Sequence, residues 1–459
     1  MSQVLADLQL HSKYSRAVSR EMVIPVMAKW GKRKGIDLLA TGDWMHTLWF
    51  LELQATLEEV EEGIFRSKVD PEGARFLLST EISSIYSQGG KLRRVHTLVF
   101  APSFAVARRI NEELLKRGCN LSSDGRPIVG LSCRQLAQVV FEVDERCLVI
   151  PAHAWTPWFS VYGSKGGFDS LEECFGEFTD KIFAVETGLS SDPEMNWRIK
   201  ELERRAIVSF SDAHSPRKLG REATVFSYKR QVTSDKKEFN YNDIYWAIAE
   251  RYLGKNEGKL KIDYTIEFYP EEGKYHYTGH RNCNVRQSPE ETLKKGTLCP
   301  VCGRQLTVGV MHRVEELAAP ELKVQTRLPA RQDAKRKVNN NGVVFNYHPT
   351  DETRPGYVMM VPLLEILAEV YQVQVGGKRV EEEYVRLTDM LEGEMNVLLK
   401  VSIDQLKSAG GERLAEAIDR VRQQEIVIEP GYDGEFGKVK IWSLDFARDK
   451  PTSEQMGLF

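Results

Sequence analysis

No stretch of this chain approaches the roughly 20 consecutive apolar residues that a membrane-crossing helix requires. The opening residues, MSQVLADLQL, lack the basic, apolar and small-residue regions of a secretory signal, so a cytoplasmic protein is expected, with no membrane partner. Cysteine is scarce: of 7, Cys119, Cys133, Cys147 and Cys174 stand alone, and an odd, scattered set is no disulfide framework. These four read as small core residues of a protein from a reducing compartment. A large excess of one charge is missing too. A net charge of -3 means that nucleic acid, if bound, must be met by a local basic surface and not by the field of the whole molecule. There is no P-loop, no glycine-rich nucleotide fingerprint and no GxSxG nucleophile elbow.

What is present is a globular composition, 42% hydrophobic and 28% charged over 459 residues, enough for about two to four domains. Residues 1–225 repeat one rhythm, a short apolar run followed by a longer segment of helical period. The runs are VLADLQLH, IDLLATGD, ARFLLSTEIS, VHTLVFAP, CLVIPAH, KIFAVETG and AIVSFSDAH. Near-continuous apolar strands alternating with helices argue for a parallel sheet covered by helices, and seven of them for a closed or nearly closed (β/α)7 barrel.

Five of the 9 histidines, His11, His46, His96, His153 and His214, fall beside these runs. Four lie at or just past the C-terminal end of their strand, as do Asp43 and Asp212, and in barrels that end assembles the active site. His96 opens its strand and fits less simply. A single histidine in such a setting is more often a satisfied core residue; five, with Asp43, Glu81 and Asp212, read as a multinuclear metal site of imidazole and carboxylate, suited to zinc or manganese before calcium. In DLQLHSKYSR, Asp7, Gln9 and His11 alternate with Leu8 and Leu10 and share one strand face, which makes the polar face part of that site.

The set DLQLHSKYSR, TGDWMH, STEIS, RVHTLVFAP, IPAHAWTPW, AVETG and FSDAHSPRKLGRE resembles, in order and spacing, the polymerase and histidinol phosphatase (PHP) superfamily. The resemblance covers about residues 1–225 and implies a PHP-type (β/α)7 barrel holding two or three divalent metals, Zn, Mn or Mg. Position by position it implies that Glu81 bridges, that His11 and Asp212 complete one metal, and that His96 and His153 hold a second with Glu81. His214 and Asp43 would hold a third, with His46 as a substitute there, since TGDWMH departs from the usual Thr-Asp-His. The superfamily usually has His where Gln9 stands; an amide oxygen is a weaker and harder donor, so Gln9 is either a ligand of a loosely held metal or acts through a water. Glu81 and Asp212 are the expected catalytic carboxylates.

Beyond residue 225 the rhythm stops. His280-x2-Cys283, fifteen residues, then Cys299-x2-Cys302 is the spacing of a zinc ribbon with a closed, structural zinc, His276 being an alternative to His280. Residues 323–337 carry Lys323, Arg327, Arg331, Lys335, Arg336 and Lys337 on a loop or a helix interrupted by Pro329; they form either a solvated face or a nucleic-acid contact. Arg94, Arg217, Lys218 and Arg221 lie close in sequence to His96 and His214 and are candidates for neutralising phosphates, with Lys335 and Arg336 from the basic segment. Trp155, Trp158, Phe159 and Tyr162 would line a pocket for an extruded base, ordinary loop packing being the simpler reading. Residues 356–446 alternate helical runs with the strand-like NVLLKV, EIVIEPGY and GKVKIW and form a small α+β or helical domain. The expected boundaries are therefore barrel 1–225, ribbon domain 226–320, basic linker 321–355, C-terminal domain 356–446 and tail 447–459.

A PHP-type barrel joined to a ribbon and a basic segment resembles the endonuclease Q family of DNA repair nucleases. That resemblance implies a metal-dependent endonuclease on damaged double-stranded or single-stranded DNA, nicking 5′ of uracil, hypoxanthine, xanthine or an abasic site and leaving a 3′-hydroxyl and a 5′-phosphate. A small-molecule phosphatase and a noncatalytic DNA-binding scaffold are the alternatives. The last residues, QMGLF, resemble the motif with which bacterial proteins dock on the DNA sliding clamp: Leu458 and Phe459 would fill an apolar pocket while Gln455 makes polar contacts at its edge. A tail folded back on its own domain is the other reading. A monomer is expected.

Overall fold

The apolar runs become strands in the expected order. The computed structural model describes residues 2–230, 238–318 and 334–443, and within it the seven runs give Gln3–Asp7, Leu38–Ala40, Arg75–Gln88, Lys91–Ala101, Leu148–Pro151, Ala184–Glu186 and Ala206–Val208. The intervening segments give helices Ile24–Lys34, Phe104–Lys116 and Cys133–Val143. Their starts are set by side chains: Ser103 accepts from the Val106 amide, and Ser132 and Gln135 form a reciprocal capping box. Their apolar faces pack onto strands whose side chains are almost wholly buried, as Leu38, Leu39, Ile150 and Val208 illustrate.

The first three strands run parallel, Ala6 beside Leu38 and Leu38 beside Arg75. The fourth does not. Arg75–Gln88 and Lys91–Ala101 form one long antiparallel hairpin turning at Gly89 and Gly90, both with positive φ, and Leu148–Pro151 pairs antiparallel with the outgoing arm. The wholly parallel sheet expected from the sequence is thus corrected at the fourth strand, and also where the antiparallel hairpin Leu57–Glu61 and Ile64–Ser67 adds to the third. Reversal places the beginning of the fourth strand against the far end of the third, Ser83 opposite His96, so His96 reaches the same rim as the other strand ends. The sixth and seventh strands are parallel, and the ring closes where Leu10 bridges Ala213 and the His11 amide donates to the Ala213 carbonyl at 3.2 Å. Buried Asp7 braces that seam, accepting from the amides of Ser211 (2.9 Å) and Gly220 (2.8 Å).

The sheet does not stop at residue 225. Ala223–Tyr228 pairs antiparallel with the first strand and continues through Leu260–Glu267, Gly356–Met359, Val344–Tyr347 and Lys335–Val338. Strands on both sides of the expected boundaries therefore share one sheet. Lys335 and Arg336 lie on its exposed edge strand, neither loop nor helix, five strand spacings from the first strand, or about 24 Å.

The ribbon is carried by the hairpin Thr278–His280 and Val285–Gln287. The C-terminal region is mostly helical, with helices Leu363–Tyr371, Lys378–Met390, Glu394–Leu399, Ile403–Gly410 and Glu412–Gln423. NVLLKV, expected as a strand, is mainly the third of these, whereas EIVIEPGY and GKVKIW do supply an antiparallel pair, Val427–Glu429 with Lys438–Lys440. A buried ion pair, Lys34 Nζ to Glu394 Oε2 at 2.6 Å, ties these helices to the barrel. No helix among the described residues is long and apolar enough to cross a membrane.

Candidate active site

Strand ends and the turns after them bring the titratable side chains to one rim. Asp43, His153 and Asp212 each take a positive φ (50°, 29° and 46°), a costly backbone for residues other than glycine and one that redirects the side chain as the strand ends. Two ligand groups result, His11 with Asp212 and His214, and Glu81 with His96 and His153, each with its donor atoms within 4.8 Å of one another.

Glu81 connects the groups. Its Oε2 lies 3.0 Å from His11 Nε2, and its Oε1 lies 2.5 Å from His96 Nδ1 and 3.5 Å from His153 Nε2. Burial works to raise the Glu81 carboxyl, but Arg126, His96 and hydrogen bonds from His11 and His153 hold it well below the usual carboxylate range. It is therefore an anion in the interior. His96 Nδ1 and His153 Nε2 stand only 3.1 Å apart, and burial drives the His96 ring down to about 4, so it is a neutral donor with a lone pair to offer. His11 Nε2 is also 3.2 Å from Asp212 Oδ1. Glu81, His11 and Asp43 are sealed from solvent, whereas the Asp212 and His214 side chains keep 25% and 32% of their exposure, so the mouth opens over these two.

The donor set fits two divalent ions: imidazoles and carboxylates, with Glu81 placed to be shared. Gln9 supports the fit. Its amide donates to Glu81 Oε2 at 2.9 Å, while its Oε1 is buried with no hydrogen-bond partner. An orphaned buried carbonyl is costly unless something electropositive takes it up, and an ion beside Glu81 would do so.

Two expected ligands stand outside both groups. The Asp43 carboxylate is already consumed: Oδ1 meets His11 Nδ1 at 3.0 Å, and Oδ2 accepts from the Ser12 amide (2.6 Å), Ser12 Oγ (2.7 Å) and Ser15 Oγ (2.9 Å). It orients the His11 ring so that Nε2 faces the cluster. His46 caps the helix Thr47–Thr56 and stacks on Tyr14 at 4.4 Å, outside both groups. Of the residues expected at a third site, His214 stands with His11 and Asp212.

Sequence reading passed over two residues. Glu186 accepts from the His153 amide through Oε2, its Oε1 is buried without a partner, and burial pushes its carboxyl well up. Arg126, from the loop SSDGRPIVG, brings Nη1 to 3.3 Å from Glu81 Oε1. The strand-end acid in AVETG was a signal that could have found Glu186. Nothing marked Arg126.

Among the basic candidates, Arg217 is held in an ion pair with Glu381 of the C-terminal helices. Lys218 is exposed and lies near Asp212, and Arg221 donates to the Ser211 carbonyl at 3.2 Å. Arg94 stands over the Phe159 ring, which itself packs 4.8 Å from His96. Trp155 and Tyr162 are buried against each other and are core, while Trp158 packs on Tyr275. His280, Cys283, Cys299 and Cys302 converge within 4.8 Å as a ribbon site requires, with His276 outside the group. Lys323, Arg327, Arg331, Gln455, Leu458 and Phe459 lie outside the described residues.

Residues 362–425 match the family described as MJ0043 C-terminal domain. An uncharacterized protein of Methanocaldococcus jannaschii, MJ0043, is 30% identical over 307 residues, 66% of this chain and 33% of that protein, so the chain spans about a third of that relative. The crystal structure of PfuEndoQ, a lesion-specific endonuclease from Pyrococcus furiosus, superposes with a TM-score of 0.76 at 30% identity, covering 98% of each chain. A crystal structure of Endonuclease Q with a 27-mer duplex carrying an abasic lesion at its active site does so with the same score and identity, over 98% of this chain and 99% of that one.

Proposed function

Because the chain belongs to the endonuclease Q family of the PHP superfamily, we propose that it is a metal-dependent endodeoxyribonuclease of DNA repair, cutting 5′ of deaminated bases (uracil, hypoxanthine or xanthine) and abasic sites. The products would be a 3′-hydroxyl and a 5′-phosphate. The observation that carries this reading is the pair of ligand groups joined through Glu81 at a mouth that opens over Asp212 and His214. Divalent ions, whether Zn, Mn or Mg, would supply there the acidification of a water and the screening of the phosphate charge.

The protein's own part is positioning. Glu81 holds both halves of the site at fixed separation and stays ionised, while Asp43 orients the His11 ring, and Thr156 Oγ1, donating to the Trp158 carbonyl at 2.9 Å, is left to accept from His153 Nδ1 at 3.2 Å. Asp212, at the open side, has burial working against its charge, but His11 keeps it ionised and able to orient a water or an ion beside the substrate. Lys218, Arg221 and Arg94 would receive the phosphates next to the cut, and Lys335 and Arg336 a flanking stretch of duplex. Phe159, turned by a φ of 62°, would stack on the damaged nucleotide. The ribbon zinc on His280, Cys283, Cys299 and Cys302 would be structural, and the tail bearing Gln455, Leu458 and Phe459 would deliver the enzyme to the sliding clamp in the cytoplasm.

The test is a nicking assay on duplexes bearing uracil, hypoxanthine, an abasic site or no lesion, with Asp212→Ala as a second arm. Lesion-dependent cuts that vanish with EDTA and in the variant are expected. Equal cutting of undamaged duplex would leave a general nuclease. Hydrolysis of sugar phosphates without action on DNA would leave a phosphatase, and fewer than two metals beyond the ribbon zinc would leave a scaffold.

A further inference from the structure

Arg126 is seated on the cluster by its loop. The neighbouring Gly125 donates its amide to the Tyr14 carbonyl at 3.1 Å and lies so near that a Cβ there would come within 2.4 Å of Asp43 Oδ2. On the other side the Pro127 carbonyl accepts from the Ser83 amide at 3.0 Å, and Ile128 and Val129 pair with Ser83 and Ser84 of the third strand. The backbone is thus pinned at both ends, and the side chain is delivered to Glu81.

Its contact there is a poor one. Arg126 Nη1 stands 3.3 Å from an oxygen that His96 already meets at 2.5 Å, longer than the ~2.7–2.9 Å of a good charge-assisted bond. Among the described residues Glu81 is its one ion-pair partner, and 29% of the side chain stays exposed at the rim where Asp212 and His214 are open. A fixed cation beside a site built to collect divalent cations is repelled by them unless an anion lies between. A guanidinium, with a planar fork of donors, matches the nonbridging oxygens of a phosphodiester.

We propose that Arg126 is a catalytic residue that binds the scissile phosphate, resting on Glu81 until DNA arrives; the inference rests on the nuclease reading above. From this position it would stabilise the charge that builds on the nonbridging oxygens during attack.

The test uses the full-length protein with Arg126→Ala and Arg126→Lys. Metal content is measured for each, together with single-turnover nicking of an abasic duplex. Affinity is measured in calcium for two duplexes, one with an ordinary scissile phosphate and one with a neutral methylphosphonate there. Wild type should prefer the charged duplex about tenfold more strongly than Arg126→Ala, whose residual preference is that of the ions alone, and Arg126→Lys should fall between them. Nicking by Arg126→Ala should fall about 10²–10³-fold with metal content unchanged. An Arg126→Ala variant that still discriminates the duplexes like wild type overturns the proposal. So does one that loses metal and regains full nicking when metal is added, because Arg126 then serves only as a counterion to Glu81. If wild type nicks and Arg126→Ala nicks equally, the Arg126 proposal alone fails; if wild type neither nicks lesion DNA nor holds barrel metals, the nuclease reading fails and takes it along.

Discussion

Replacing Asp43 by Asn tests whether this carboxylate acts through His11 or touches a metal itself. The change is nearly isosteric and removes one acceptor. If the new amide nitrogen faces His11 Nδ1, the ring must accept there and carry its proton on Nε2, the atom aimed at Glu81 and Asp212. If it faces the other way, it abuts the Ser12 amide, now 2.6 Å from Oδ2, and two donors collide. Either orientation forfeits one charge-assisted hydrogen bond, about 1.5–3 kcal/mol, or a roughly 10- to 150-fold loss of metal affinity. The expected result is weaker binding at unchanged stoichiometry, measured by chelator competition with the ribbon zinc subtracted, and nicking that recovers as metal is raised. Unchanged affinity and unchanged nicking would refute the orienting role. Loss of one whole metal equivalent would instead make Asp43 a ligand.

Gln9→Ala should lower activity by about tenfold, less than Asp212→Ala, because it removes a single neutral donor; equal loss in both variants would make Gln9 as essential as the carboxylate. Cys299→Ser should lower zinc content by one equivalent and lower the melting temperature, since a structural zinc adds its binding energy to folding; unchanged melting and zinc content would contradict the ribbon. Burial raises the Glu267 carboxyl to about 8, against hydrogen bonds from Ser209 and Thr265, so the folded state binds its proton more tightly than the unfolded chain does. Its contribution is fully present below about 4.5 and is lost as pH rises through about 8, so Glu267→Gln should raise the melting temperature at pH 8.5 and change it little at pH 4.5; parallel pH profiles for variant and wild type would sink this account.

All seven strands of the barrel were legible because apolar runs such as CLVIP and ARFLLS report burial on both faces, which is a property of composition. Strand direction is not. Nothing in VHTLVFAP distinguishes an outgoing hairpin arm from a parallel strand, and so the position of His96 made sense only once Ser83 was found opposite it. The histidines and carboxylates of both ligand groups were legible by type, yet sequence cannot separate a group that binds a metal from one that binds a ligand's far nitrogen. Asp43 and His46 sit in the same TGDWMH, and the structure gives one to His11 and the other to Tyr14. Arg126 could not be found at all, because its place is set by contacts of Gly125 and Pro127 with residues distant in sequence.

The two halves of the metal centre come from very different lengths of chain. Glu81 and His96 belong to one hairpin, whereas the seam that brings His11 to Asp212 joins segments such as Asp7 and Ser211, 204 positions apart. Closing a long loop costs more entropy than turning a hairpin, so the hairpin half can form early and the seam last. Ions held by the two groups would need both halves in place, and their binding energy would fall on the closed ring. The metals would thus act as a clasp: a chain stripped of them is expected to open first where Leu10 bridges Ala213, freeing the seventh strand's side of the seam while the first strand stays paired with Ala223–Tyr228 and Leu38–Ala40.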